Sequence, residues 1–272
     1  MIVTLLTDFG TVDYFVGAMK GAVLSVNPRA RIVDITHEVP AHDVEAGAFT
    51  LRAAFETFPA GTVHVAVVDP GVGSSRRAVV ARGGGHLFVG PDNGVLGHVY
   101  ERVGDPEVFR LTNTSFFREP VSTTFHGRDI FAPVAGALSR GVEPEALGPP
   151  VEDFVRLPLA APTRAADGTV NGAIIHIDRF GNCITNLTPR DLPPVTEATE
   201  VTTDSAALVI VVGDREVSAF RRFYAEEGSR PGEPFAIWGS AGLLELSVLH
   251  DSAARLLGAR RGQTIKVLRT ED

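Results

Sequence analysis

The stretch Thr62-Val63-His64-Val65-Ala66-Val67-Val68-Asp69-Pro70-Gly71-Val72-Gly73-Ser74-Ser75-Arg76-Arg77 decides the fold class. Its first seven residues form a near-continuous apolar run. A strand that reads this way is buried on both faces, as in a sheet covered by helices on either side. The run ends at Asp69 in a turn-rich segment with two glycines and two arginines. Upstream, Val44 to Phe58 has a helical pattern with Asp43 placed to cap it, and Pro59-Ala60-Gly61 ends it. Downstream, Ala78 to Arg82 and His86 to Val89 flank Gly83-Gly84-Gly85 and predict a hairpin.

The same alternation begins at the N-terminus. Ile2 to Leu6 is a β-favouring run, Thr7-Asp8-Phe9-Gly10 breaks it, and Tyr14 to Val26 sets Met19, Val23 and Val26 on one helical side. Asn27-Pro28 stops that helix and Arg31 to Ile35 resumes a strand, which completes a βαβ unit. Gly127 to Arg140 predicts a further helix. An α/β sheet domain over residues 1–160 follows.

Leu157 to Gly168, rich in Pro and Ala, reads as a connector, with 161–168 as the linker proper. From Thr169 the pattern changes to short β-like segments: Val170 to Ile177, Asn182 to Leu187, Ala207 to Val212, Phe235 to Trp238, Leu244 to Val248 and Thr264 to Leu268, with a short helix at Ser252 to Leu257. The expectation is a smaller C-terminal β-barrel or sandwich domain over 169–272.

Composition narrows the function classes. Hydrophobic residues make up 44% of the 272 and charged residues 21%, ordinary globular usage. A formal net charge of −8 without a Lys/Arg cluster argues against nucleic acid as a partner. No apolar run reaches the roughly 18 to 20 residues that cross a bilayer, so no membrane partner is expected. The single cysteine, Cys183, has no internal disulfide partner, and no basic leader precedes the first strand, so the expected location is cytoplasmic. The eight histidines show no His-Glu-x-x-His spacing, no cysteine pair exists, and no Gly-x-Ser-x-Gly elbow appears. Neither a zinc site nor serine-hydrolase chemistry is expected.

In open α/β sheets ligands sit beyond the carboxyl ends of the strands. Asp8, Asp34 with Thr36-His37 after it, and Asp69 all fall there. The carboxylate of Asp8 either accepts the two hydroxyls of a ribose or, with Asp13, caps the next helix. Asp69 and Arg76 sit in a glycine-rich loop that lacks the Gly-Lys-Ser/Thr ending of a P-loop, and a surface salt bridge is the plainer reading. His126, in Phe125-His126-Gly127-Arg128, precedes a helix start, which disfavours its imidazolium and suits a neutral imidazole; packing or capping is the alternative. In Asp178-Arg179-Phe180-Gly181-Asn182 an anionic group, a ring and an amide surround a turn, suited to an ammonium, a stacked base and a base edge, or simply to the turn. Trp238-Gly239-Ser240-Ala241-Gly242 is a second such turn.

Taken together, Thr7-Asp8-Phe9-Gly10, Asp34 to His37, Asp69 to Gly73 with Arg76, Phe125 to Arg128 and Asp178 to Asn182 resemble the S-adenosylmethionine hydroxide adenosyltransferase family over essentially the whole chain. The family is related to fluorinating and chlorinating enzymes that attack the same substrate. The resemblance implies that Asp69, Arg76 and His126 form a polar triad around a water or hydroxide, and that S-adenosylmethionine plus water gives adenosine and L-methionine. It implies Asp8 on the ribose, with Asp13 in the same loop among the substrate-binding residues. Asp178 would meet the methionine ammonium, Phe180 the adenine face, Asn182 an adenine edge and Ser240 the methionine carboxylate. Where the halogenating relatives carry an arginine beside that serine, this chain has Ala241. No cofactor and no metal are implied, because S-adenosylmethionine is itself the substrate. The implied assembly is a homotrimer with sites at subunit interfaces. Two other functions fit the same residues: displacement by halide or another nucleophile, and a non-catalytic S-adenosylmethionine sensor.

Overall fold

The computed structural model describes residues 1–192 and 208–269. The chain divides into two compact units, Met1–Pro158 and Leu159–Asp272. In the first unit, β1 (Ile2–Thr7), α1 (Phe15–Val26), β2 (Arg31–Thr36), α2 (Val44–Ala54) and β3 (Val63–Val67) follow one another as the alternation predicts. Then come β4 (Ala78–Gly83), β5 (His86–Pro91), α3 (Gly97–Val103), β6 (Glu107–Arg110) and α4 (Ala132–Leu138). The six strands form one sheet in the order β2-β1-β3-β5-β4-β6. Neighbours from β2 to β5 are parallel, and β4 runs antiparallel to both β5 and β6.

β3 lies in the middle of this sheet and every one of its residues is buried. Its alternation shows why. Val63, Val65 and Val67 pack with Met19, Val23 and Val134 from α1 and α4, whereas Ala66 packs with Leu51, Val99 and Tyr100 from α2 and α3. Successive side chains of a strand point to opposite faces, so with helices on both sides every position is buried, and the one polar residue, His64, is satisfied by Thr4 Oγ1 at 2.8 Å. Asp43 caps α2, its carboxylate accepting the Ala46 N–H at 3.0 Å.

Several elements differ from the sequence expectation. Val44 to Phe58 is not one helix: α2 stops at Ala54 and a 3-10 turn covers Phe55–Thr57. Gly127 to Arg140 is also not continuous α-helix, because Gly127–Phe131 is a π-turn and α4 begins only at Ala132. Pro133 explains the break. It has no N–H to give the Asp129 carbonyl, which accepts from Arg118 N at 2.8 Å instead. Neither Asp8 nor Asp13 caps α1, whose N-cap is Tyr14 with no side-chain bond. The short elements α3 and β6 give too weak a periodicity to predict.

The second unit is built on a single sheet. Its strands are β7 (Thr163–Arg164), β8 (Val170–Ile177), β9 (Cys183–Thr185), β10 (Leu208–Val212), β11 (Arg215–Val217), β12 (Phe220–Arg221), β13 (Pro234–Trp238), β14 (Leu244–Val248) and β15 (Thr264–Arg269). Their order is β11-β10-β15-β8-β9-β14-β13-β12, with β7 added on β8. The segment 161–168 is therefore not purely a linker, since Thr163 and Arg164 pair with Asn171 and Val170. Ala207, the first residue of one expected strand, lies outside the described residues, and β10 starts at Leu208. The short helix is α5 (Ala253–Leu257), capped by the Ser252 hydroxyl on Arg255 N at 3.1 Å. Ile174, Ile210, Leu244, Leu246 and Ile265 form its core. Among the described residues no helix is long and apolar enough to cross a membrane.

Candidate active site

Parallel pairing puts the ends of β1 and β3 side by side, with Thr7 opposite Val67. The loops carrying Asp8 and Asp69 thus leave the same edge of the sheet. Gly73 brings the second loop against a third. It has φ of +78°, and a Cβ there would stand 2.3 Å from the Thr123 carbonyl oxygen. Only glycine permits both the left-handed backbone and that approach. Phe9 and Phe125, with ring centroids 6.0 Å apart and edge to face, join the first loop to the third.

At this junction Asp69, Arg76 and His126 form a continuous chain. The Arg76 Nε donates to Asp69 Oδ1 at 3.0 Å, and its NH2 group donates both to Asp69 and to His126 Nδ1, the latter at 2.7 Å. The Arg76 and Asp69 side chains are only 10% and 4% exposed, so this is not the solvated surface pair that the loop alone suggests. The guanidinium also lies over the Phe131 ring, 5.3 Å from its centroid.

His126 is held neutral. Burial and the adjacent Arg76 charge push its pKa below the ordinary histidine value, against the opposing pull of Asp69 and Asp129. Arginine has donors only, so the imidazole must accept at Nδ1 and carry its proton on Nε2. The direction agrees with the sequence expectation, and His126 stands at the N-cap of the Gly127–Phe131 turn.

Asp8 is half-buried, and its Oδ2 accepts the backbone N–H of His42 at 2.9 Å. His42 sits at φ +67°, a conformation unusual for a residue with a Cβ, and this aims its N–H at the carboxylate. Nothing in the linear order of residues signals this support. Asp13 is exposed in the turn before α1. Asp34 is held by Lys20 Nζ at 2.6 Å and by His37 Nε2 at 3.1 Å, and His37 Nδ1 in turn meets Thr7 Oγ1 at 2.8 Å. Asp34 thus braces the end of β1.

In the second unit Asp178, Phe180 and Asn182 share a cavity of about 700 Å³ with Tyr224 and His250. The turn itself uses the carboxylate: Asp178 Oδ1 accepts the N–H groups of Phe180 and Asn182 and Oδ2 accepts the Asn182 amide, each at 2.9 Å. Phe180 is 77% exposed and offers its ring to the cavity. Ser240 is exposed in the tight turn where Gly242 N donates to Gly239 O, and it does not line that cavity. No cluster of three or more potential metal ligands occurs among the described residues.

Comparison with known families assigns the chain. The model for the SAM hydroxide adenosyltransferase N-terminal domain matches residues 3–148, and that for the C-terminal domain matches residues 172–266. The chain belongs to the SAM hydroxide adenosyltransferase family. Relatives named (R)-S-adenosyl-L-methionine hydrolase are 37% identical in Salinispora tropica, over 97% of both chains, and 38% identical in Thermus thermophilus, over 98% of this chain and 99% of the relative. A protein named fluorinase from an Actinoplanes species is 30% identical over 70% of this chain and 73% of its own. A crystal structure of an uncharacterized conserved protein from Thermotoga maritima superposes with a TM-score of 0.88 at 35% identity, covering 99% of this chain and all of that one.

Proposed function

We propose that this chain hydrolyses S-adenosyl-L-methionine to adenosine and L-methionine. The hydrolases it resembles match nearly its whole length, whereas the fluorinase match covers less of it at lower identity. The observation that carries the reading is the buried chain Asp69–Arg76–His126. With Nδ1 occupied by Arg76, the imidazole presents an N–H at Nε2 beside a guanidinium. Two donors of this kind favour hydroxide over water, and Asp69 fixes the guanidinium that supplies one of them.

The hydroxide oxygen attacks the ribose C5′ carbon, the C5′–S bond breaks, and its electron pair goes to sulfur, giving the neutral thioether of methionine. The water's other proton leaves to solvent. Charge is quenched as hydroxide meets sulfonium, so a site that excludes water and aligns the nucleophile accelerates the step. The reaction as written needs neither cofactor nor metal.

In this reading Asp8 takes the ribose hydroxyls and Asp13 faces the ligand from the same loop. Asp178 takes the ammonium and Phe180 stacks on adenine. Asn182, whose amide N–H₂ is given to Asp178, offers its carbonyl to the adenine edge. Ser240 meets the methionine carboxylate without a neighbouring cation, since residue 241 is alanine. We further read the protein as a cytoplasmic homotrimer with sites at subunit interfaces, and the second unit as a β-barrel or sandwich. Product analysis by mass after incubation with either sulfonium form of the substrate tests the proposal. Adenosine and methionine support it; a halogenated nucleoside, or tight binding without turnover at high enzyme concentration, overturns it.

A further inference from the structure

The second unit holds a buried carboxylate that the functional reading does not use. Glu245 is 7% exposed, on a strand, β14, whose five residues are all buried. Its Oε1 accepts the Tyr224 hydroxyl at 2.6 Å and the Ser247 hydroxyl at 3.0 Å. Both are neutral donors, and no Lys, Arg or His forms an ion pair with Glu245 among the described residues. Burying a carboxylate without a countercharge is unfavourable unless something offsets it. Gly239 shows how closely the carboxylate is confined, since a Cβ there would stand 2.6 Å from Glu245 Oε2.

Tyr224 lines the same cavity as Asp178, Phe180 and Asn182. Its one hydroxyl proton is committed to Glu245, so its oxygen has only lone pairs left to offer. The two carboxylates act together on this region. Burial first, then Asp178 and Glu245, push the Cys183 thiol up to about 12, and burial and Glu245 raise the Tyr224 phenol further from ionisation.

We infer that Glu245 is a specificity-determining positioning residue. By accepting the hydrogen bond of the Tyr224 hydroxyl, it leaves the oxygen of this cavity-lining residue as an acceptor for the ammonium of the ligand's amino-acid end, alongside Asp178. The inference rests on the proposed S-adenosylmethionine reading of that cavity. It explains how an unpaired buried charge is tolerated, because the ligand supplies the cation. It also predicts selectivity for a charged amino group independent of adenine recognition.

The test is calorimetric binding of two neutral-sulfur probes to the full chain: S-adenosylhomocysteine, which keeps the ammonium, and 5′-methylthioadenosine, which lacks it. Glu245→Gln and Tyr224→Phe should each weaken the first roughly tenfold, the scale of one charge-assisted hydrogen bond, and leave the second within about twofold. Tyr224 is 45% exposed, so Tyr224→Phe keeps the ring and the fold even if Glu245→Gln does not. Equal weakening of both probes, or no change in either, overturns the inference. If the unmodified chain binds neither probe, the S-adenosylmethionine reading itself fails.

Discussion

The two units handle buried charge in opposite ways. In the first, the Asp69 carboxylate is answered by Arg76 at hydrogen-bond distance, and the guanidinium in turn fixes a neutral histidine. In the second, Asp178 and Glu245 are satisfied, among the described residues, by backbone N–H, amide and hydroxyl groups without a cation. The first site is charge-balanced and hydrogen-bonded in advance, as a group of donors aimed at a small nucleophile must be before that nucleophile arrives. The second waits for a cation. The contrast separates chemistry from recognition: damage to the first unit should fall on kcat, and damage to the second on KM.

The largest effect tests that division directly. Asp69→Asn and His126→Ala should lower kcat by roughly 10²- to 10⁴-fold with KM nearly unchanged, as expected when a transition-state interaction is lost. Steady-state kinetics would break the comparison if kcat held in both. Asp178→Asn should do the reverse, raising KM about tenfold or more while kcat falls far less.

Gly73→Ala sharpens the account of the first unit. The added methyl meets a backbone oxygen at 2.3 Å in a left-handed conformation, so loop and triad must separate. The expected result is a kcat loss on the order of 10²-fold with a small drop in melting temperature. Near-normal kcat would show that the Thr123 contact does not hold the triad together.

Mixing Asp69→Asn chains with Asp178→Asn chains, at substrate far below the raised KM so that each alone turns over little, tests the shared-site trimer. After subunit exchange, about a quarter of the sites would draw both halves from undamaged units. Recovery of that activity supports the assembly, and no recovery under proven exchange contradicts it.

The smallest effect concerns stability. His64 is wholly buried between Phe55 and Phe88, accepts or donates at Thr4 Oγ1 over 2.8 Å, and burial followed by the charge of His86 pushes its pKa down to about 3. The unfolded chain takes up this proton near pH 6.5 and the folded chain only near pH 3. Its contribution to stability is therefore complete above pH 6.5 and declines as pH falls toward 3. Thermal melts of His64→Phe should show a flatter acid limb than the unmodified chain.

Much of this was legible in the sequence, and the limits have physical causes. Apart from α3, the helices and the parallel strands of the first unit announce themselves by periodicity, β3 above all, because a strand between two helical layers is buried at every position and, His64 apart, apolar. The π-turn at Gly127–Phe131 did not, since it depends on where the Asp129 carbonyl finds a donor once Pro133 has none to give. The triad residues stood out by chemistry and by family resemblance, yet their contact spans 50 positions between Arg76 and His126 and needs Gly73 pressed on Thr123. Glu245 was invisible: in sequence it is one acidic residue in a β run, and only the register beside Gly239 and the reach of Tyr224 reveal a buried, unpaired charge.

The central claim is that water, fixed by Asp69, Arg76 and His126, is the nucleophile at C5′. Turnover of S-adenosylmethionine in heavy-oxygen water measures this directly. The account predicts adenosine carrying one heavy oxygen and methionine carrying none. Unlabelled adenosine, or label in the amino-acid product, would contradict it.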